Sequence, residues 1–273
     1  VIDGEGRPVC SEMWPGNTAD VRVLLPIVDR LRRRFAIGRV CVVADRGMIS
    51  AATITGLEER GLEYVLGVRE RTDALVRRAV LEDDAPFTPL LIERASGETQ
   101  LLVKEVTVEG RRYIVTRNEA EAEKDRADRA AIIAALDRQL DKGDKALIGN
   151  SAYRRYLRKT ARTEAFEIDP GKLAEEARYD GLFVLRTNAR ISPLQAVLRY
   201  RDLLQVEELF RTAKALMRTR PIYHSSDAAI RGHVFCSFLA LILRKELQQR
   251  CEEAGIKPEW ADALRDLDRL QNI

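Results

Sequence analysis

Two short runs of apolar β-formers, Arg39 to Asp45 and Leu62 to Val68, flank a segment whose apolar residues recur at helical spacing. Near-continuous apolar runs of this length read as strands buried on both faces. The segment between them, Ile49 to Arg60, reads as a helix closed by Gly61. Upstream, Thr18 can cap a helix that runs to about Phe35, with a disturbance at Pro26 and a stop at Gly38. Residues 1 to 16 read as the end of a β-hairpin. Asp3-Gly4-Glu5-Gly6 is a turn signal, Arg7 to Trp14 alternates weakly, and Pro15-Gly16-Asn17-Thr18 breaks the pattern. Strands alternating with helices predict an α/β sheet.

Beyond residue 69 the pattern changes. Leu101 to Val108 and Arg111 to Thr116 read as strands of a hairpin around Glu109-Gly110. Asn118 caps a long charged helix to about Lys142, stopped by Gly143, and Glu119 to Arg129 forms its solvated face. A basic stretch with interleaved tyrosines follows, Tyr153-Arg154-Arg155-Tyr156-Leu157-Arg158-Lys159, with Arg162 beyond it. Tyr179-Asp180-Gly181 leads into a strand from Leu182 to Leu185. From Ser192 onward the chain reads as helical, over about 193 to 218, 226 to 252 and 258 to 271. Ser192-Pro193 offers a capping residue with Pro at the first helical position. Leu264, Leu267 and Leu270 give the last helix an apolar face.

Composition narrows the possibilities. The 273 residues are 45% hydrophobic, enough to bury one large domain or two modest ones. No apolar run approaches the ~18 residues of a membrane span, Val234 to Leu243 being too short. No secretory leader is visible. Four scattered cysteines form no C-x-x-C pair, which argues against zinc, and Cys41 and Cys236 lie in apolar runs that predict core positions. This usage suits the cytoplasm. A net charge of +3 is too weak by itself to indicate nucleic acid.

Two carboxylates are candidates for chemistry. Asp45 ends a predicted strand and is followed by Arg46-Gly47. In open α/β sheets ligands bind at that edge, although an aspartate there can equally cap a helix or close a turn. On a continuous helix from Pro193, Tyr200, Leu203, Glu207, Arg211 and Lys214 share one side. Val206, Leu209, Phe210, Ala213, Leu216 and Met217 make the neighbouring buried face. Glu207 then stands on the rim of that face, and it can also form an ordinary i,i+4 ion pair with Arg211. Glu208 faces solvent. Trp14, Trp260 and His233 read as packing residues.

Taken together, these sites resemble bacterial insertion-sequence DDE transposases. Ala44-Asp45-Arg46-Gly47-Met48-Ile49-Ser50 looks like the second-aspartate motif. Tyr200, Glu207 and Lys214 fit the Y-x2-R-x3-E-x6-K signature of the branch with a β-rich insertion, with Leu203 where Arg is expected. Trp14 to Thr18, Tyr179-Asp180-Gly181 and Arg220-Pro221-Ile222-Tyr223-His224 look like further family patterns. The resemblance implies an α/β fold: an RNase H-like catalytic core with an α+β insertion and a helical C-terminus. Residues 1–68 would form the N-terminal part of the core, 69–191 the insertion and 192–273 the helical remainder.

The implied chemistry is metal-dependent cleavage of transposon ends and strand transfer into target DNA. Asp45 and Glu207 would be catalytic residues and ligands to Mg²⁺, with Mn²⁺ able to substitute. Tyr200, Arg211, Lys214 and His224 would contact DNA, as would Arg154, Arg155, Arg158 and Lys159 in the insertion, with Tyr153 and Tyr156 stacking or bridging. The partners implied are double-stranded DNA and a second copy of the chain, the helices from Ser226 to Ile273 being candidates for dimer contacts. The family's first aspartate is expected upstream of Val1. Asp3 reads as a turn residue, so an N-terminally truncated, inactive or weakly active fragment is expected. The alternatives are a non-catalytic DNA-binding remnant of a transposase and a plain RNase H-like nuclease.

Overall fold

A computed structural model describes residues 1–3, 6–36, 38, 40–94, 97–140, 151–160, 165–215, 221–256 and 259–269. The chain divides into two compact units, one formed by Val1–Leu31 with Arg201–Ile273 and the other by Arg32–Tyr200. The expected Lys142 and Gly143 helix stop, and Arg162, Leu216, Met217, Arg220 and Leu270, lie outside the described residues.

The unit from Arg32 to Tyr200 is built on a six-stranded mixed sheet. Its strands are β1 (Cys41–Ala44), β2 (Glu63–Gly67), β3 (Thr88–Arg94), β4 (Gly97–Val108), β5 (Arg111–Arg117) and β8 (Leu182–Thr187), in the order β1-β2-β8-β5-β4-β3. β1 and β2 are parallel and joined by helix α2 (Ala51–Glu59), whereas β8 runs antiparallel to both β2 and β5. The sheet is therefore continuous across residues 68 and 69.

β2 is buried along most of its length, as its continuous apolar run predicts. β1 departs from the expectation of burial on both faces. Cys41 is exposed and only Val42 and Ala44 are buried, because β1 borders the sheet and is paired on one side. The β4–β5 turn is as predicted: Glu109 and Gly110 both take positive φ, 50° and 70°, the twist that a two-residue hairpin requires. β3 was not anticipated. Pro89 argues against a strand, but β3 ends the sheet order and Pro is tolerated on such borders.

Alternate residues of β5 and β8 feed opposite faces of the sheet, following the period of two. Ile114 and Leu185 join Val65, Val103, Ala196 and Val197 in one apolar cluster. Tyr113, Val115 and Val184 join Val76, Val80 and Val106 in another. Ala196 and Val197 come from α6 (Pro193–Arg201), which Ser192 begins by accepting a hydrogen bond from the Gln195 amide.

Helix α3 (Glu119–Leu140) starts at Asn118, whose Oδ1 accepts from the Ala120 amide at 3.1 Å. Leu136 near its far end meets Tyr156 and Leu157 in a third cluster. This cluster also draws on the hairpin β6 (Leu157–Lys159) and β7 (Phe166–Ile168), between α4 (Ser151–Arg154) and α5 (Pro170–Ala177).

Tyr179-Asp180-Gly181 fixes α3 to the start of β8. Asp180, buried, receives a two-pronged ion pair from Arg129, at 2.6 Å on Oδ2. The Gly181 amide donates to Asp125 Oδ2 at 2.9 Å, and its carbonyl accepts from the Asn118 amide at 3.0 Å. Gly181 has φ +63°, and a Cβ there would lie 2.3 Å from the Asn118 carbonyl oxygen and 2.8 Å from Ala122.

In the other unit, residues 1 to 16 form less than the expected hairpin end. Among the described residues the pairing is an isolated bridge, Ile2 with Pro8, with the Asp3 amide donating to the Arg7 carbonyl, the Val9 amide to the Val1 carbonyl, and Asp3 Oδ1 accepting from the Arg7 amide. The helix expected from Thr18 begins as a 3-10 turn, Asp20–Arg22, and becomes α1 at Leu24–Phe35, which places Pro26 in the first turn where a missing N–H costs little. The helix expected over 193 to 218 breaks at Asp202, giving α6 and a separate α7 (Leu203–Ala215). Asp202 occupies the position before α7 where short acceptor side chains are favoured. Phe210, expected on a buried face, is 61% exposed on α7. Helix α8 (Asp227–Glu253) is capped by Ser226 and buries none of its residues, so Cys236, expected in the core, is exposed. Arg244 on α8 stacks over the Trp260 ring of α9 (Trp260–Arg269) at 4.6 Å, and Arg30 lies over Trp14 at 5.9 Å.

Two predictions follow from these contacts. Gly181→Ala should destabilise the chain by about 3 kcal/mol or more, because both the backbone angle and the contact with the Asn118 carbonyl resist a side chain. Urea unfolding measures this, and a change under ~0.5 kcal/mol would contradict the corner geometry. Burial, followed by the hydrogen bond to Glu58, pushes the Tyr64 hydroxyl up to about 12. Its folded value stands above its unfolded value of about 10, so its contribution is complete below that pH and is lost as pH rises towards 12. Tyr64→Phe should flatten the fall in unfolding free energy over that window.

Candidate active site at the carboxyl edge of the sheet

β1 and β2 run parallel, so Asp45 and the residues after Gly67 emerge at the same carboxyl edge. Asp45 precedes a 3-10 turn, Arg46–Met48, in extended backbone at φ −74° and ψ 156°, yet its side chain caps nothing. Ser50 caps α2 instead, accepting from the Thr53 amide at 3.1 Å. The helix-cap reading of Asp45 therefore fails. Its carboxylate accepts a hydrogen bond from Tyr200, Oη to Oδ1, at 2.8 Å. The other oxygen has no hydrogen-bond partner among the described residues.

Tyr200 reaches Asp45 because Gly67 leaves room. A Cβ on Gly67 would lie 2.5 Å from Tyr200 Oη and 3.1 Å from Cζ. The ring is also held against Phe183 on β8, centroids 4.7 Å apart. Residues far apart in sequence, one ending a strand and one near the end of α6, thus form a single hydrogen-bonded unit. Sequence reasoning missed Gly67 and Phe183. The glycine closing an otherwise bulky strand was the available signal, since such positions mark close approach by another group.

Beside Asp45, Arg46 lies 3.6 Å from Glu70 Oε1, which also accepts from Arg71 at 2.8 Å. Glu70 is 3% exposed, and its Oε2 is buried without a partner among the described residues. This buried carboxylate was also missed, because a charged residue after a strand normally reads as solvated.

The remaining sequence-predicted residues lie on other elements. Glu207, Arg211 and Lys214 lie on α7 in the other unit and are exposed. No ion pair joins Glu207 to Arg211 among the described residues. The side chain of Glu208 is outside the described set. His224 is exposed, with its ring 5.4 Å from that of half-buried His233.

In the basic stretch, Arg154 is exposed, Arg155 is 3.6 Å from Glu176, Arg158 donates to Glu167 at 2.6 Å, and Lys159 lies over the Phe166 ring at 5.7 Å. The hydrogen bond to Glu167 raises the Arg158 guanidinium above its ordinary value. Tyr156 cannot stack on DNA as expected, because it is 3% exposed in the cluster around Leu136. Tyr156 and Leu157 turn inward together, while Arg155, Arg158 and Lys159 stay exposed.

Among the described residues, no group of three His, Cys, Asp or Glu side chains is arranged to hold a metal ion. Asp45 by itself fits one ligand position. Its carboxylate is exposed at a strand end and offers oxygen donors of the kind a hard divalent cation takes.

The chain belongs to the transposase DDE domain family, whose model matches residues 1–243. Membership makes DNA the class of substrate, a transposase-type nuclease and transferase the class of enzyme, and a divalent metal the family's usual cofactor. No curated protein matches the chain. No helix among the described residues is long and apolar enough to cross a membrane.

The contact between Gly67 and Tyr200 gives a test of the site's construction. Gly67→Ala should destabilise the chain by about 1–3 kcal/mol through overpacking against the Tyr200 ring. In a Tyr200→Ala background the same change should cost at least about 1 kcal/mol less. Additive effects in this double-mutant cycle would mean that the two residues do not meet.

Proposed function

We propose that this chain is the catalytic core of a bacterial insertion-sequence transposase, which cuts transposon ends and joins them to target DNA. The hydrogen bond between Tyr200 and Asp45 carries this reading. The tyrosine of the Tyr-Glu-Lys pattern and the aspartate of the second-aspartate motif were singled out independently, and they meet at 2.8 Å on the sheet edge where α/β proteins bind ligands.

The parallel β1-α2-β2 unit is read as part of an RNase H-like core, residues 1–68. Residues 69–191 are an insertion that continues its sheet, and residues 192–273 are the helical remainder. Asp45 and Glu207 would hold Mg²⁺, or Mn²⁺ in its place. Two such ions held there would supply activation of water or a DNA 3′-hydroxyl at one and stabilisation of the leaving oxygen at the other. Tyr200 orients the Asp45 carboxylate, an outer contact of the kind that tunes metal sites. Arg211, Lys214 and His224 contact backbone phosphates near the cut, and Arg154, Arg155, Arg158 and Lys159 contact the transposon end. Two DNA ends call for two active sites, hence a homodimer on double-stranded DNA, working in the cytoplasm. Asp3, engaged with the Arg7 amide in a turn, is not read as the remaining carboxylate.

Titration with Mn²⁺, followed by electron paramagnetic resonance, tests the metal assignment without requiring turnover. The chain should bind Mn²⁺, Asp45→Ala should abolish binding, and Tyr200→Phe should weaken it about tenfold. Glu207→Gln should also weaken it. Unchanged Mn²⁺ affinity in Asp45→Ala would remove Asp45 from the metal site. DNA binding with no Mn²⁺ binding at all would leave the non-catalytic remnant as the better description.

A further inference from the structure

Two open pockets adjoin on the unit from Arg32 to Tyr200, and arginines line both. The first, of about 380 Å³, begins at Arg46, the residue after Asp45, and adds Ser50, Arg69 and Thr72. The second, of about 440 Å³, is lined by Arg112, Asn188 and Arg190. Arg111 and Arg186 belong to both, so the two pockets share a wall. Six arginines thus converge from the turn after β1, the loop after β2, the start of β5, and β8 with the loop beyond it. Only Asp73 and Glu58 oppose them on the linings. The chain as a whole is nearly balanced, with 46 Lys and Arg against 43 Asp and Glu, so this is a local concentration of one sign.

These arginines are not fully committed to internal partners. Arg69 and Arg190 are exposed and form no ion pair among the described residues. Arg111 is half-exposed and reaches exposed Glu109 at 3.3 Å, the class of surface pair that contributes little, and half-exposed Arg46 stands 3.6 Å from buried Glu70, which takes its closer hydrogen bond from Arg71 at 2.8 Å. Arg112 and Arg186 are held more firmly, to Glu105 at 2.7 Å and Glu58 at 3.1 Å. Even so, Arg186 Nε on the shared wall is buried with no acceptor among the described residues.

Guanidinium groups in such an array select phosphate, which they can bind with two parallel hydrogen bonds. The pockets are of the size that takes one small-molecule-sized group each, so a duplex is too wide to enter them. No exposed aromatic ring lines them, since Tyr64 is buried and its hydroxyl is given to Glu58. Base stacking therefore contributes nothing, and recognition falls on the backbone.

We propose that the two pockets form one track for the phosphodiester backbone of single-stranded DNA, running from Arg46 beside Asp45 to Arg190. The inference rests on the reading of Asp45 as part of a DNA-cutting site, and assigns the track to the strand that leaves that site. Binding there should be independent of sequence and strongly dependent on salt.

Fluorescence anisotropy with a labelled oligothymidylate and, separately, a blunt duplex tests this over a range of salt concentrations. The variant is Arg69→Ala with Arg190→Ala, two exposed positions whose side chains have no ion pair among the described residues, and its melting temperature should match that of the parent chain. Affinity for the single strand should fall about tenfold or more. The slope of log affinity against log salt should drop by about 1.4, at ~0.7 per phosphate contact on a single strand. Duplex affinity should change less than about threefold. An unchanged single-strand affinity and slope in a chain that binds DNA would overturn the track and leave the transposase reading intact. Equal losses for both probes would mean that the arginines serve duplex DNA, which also overturns it. A parent chain that binds neither probe would sink the transposase reading and the track together.

Discussion

Strand β8 carries hydrogen bonds along both of its sides, to β2 on one and to β5 on the other, and the sheet exists as one body because of it. Without β8 the parallel pair β1–β2 and the antiparallel meander β3–β4–β5 have no shared edge. The start of the strand is fixed where Gly181 passes under Asn118 and Ala122, while Asp180 takes the guanidinium of Arg129 out of solvent. Removing one partner of such a buried pair leaves an uncompensated charge, so the corner specifies register as well as contributing stability. Phe183 on the same strand packs against the Tyr200 ring that reaches Asp45. The candidate site therefore inherits its geometry from a strand that supplies none of the proposed metal ligands.

Much of the fold was legible because local chemistry and tertiary context agree. The Glu109-Gly110 turn, the Asn118 and Ser192 caps and the buried run of β2 each follow from residue type and spacing. The misreadings come from context. The apolar run of β1 looked like a central strand, but the period of apolar residues does not say which strand lies at the border. Pro89 hid β3 for the reason that suits it to a border. The two helices at Asp202 read as one because the apolar pattern continues across the break.

For the site, the sequence pointed to Asp45 and Tyr200 separately, and only the fold shows that they touch. The enabling residue is Gly67, whose contribution is the absence of atoms, and its one signal is a glycine closing an otherwise bulky strand. Tyr156 went the other way. It read as surface chemistry because basic residues surround it, yet in the turn before β6 it is buried together with Leu157 in the cluster around Leu136. Proximity in sequence to charge is a weaker guide than the apolar cluster a side chain can join. Glu70 shows the same weakness in reverse, as a charged residue that the fold draws inward between two arginines.

The place of β8 also bears on how the protein is made. Thr187 pairs with the Tyr64 carbonyl across 123 residues of chain. At about 5–20 residues per second, the open edge of β2 waits roughly 6–25 s on the ribosome before its partner strand is synthesised. Throughout that interval a short, strongly apolar strand presents unpaired amides and carbonyls to whatever is nearby. Nascent copies crowded on one messenger would be prone to pair edge to edge, which sets a ceiling on how fast this protein can be produced in soluble form.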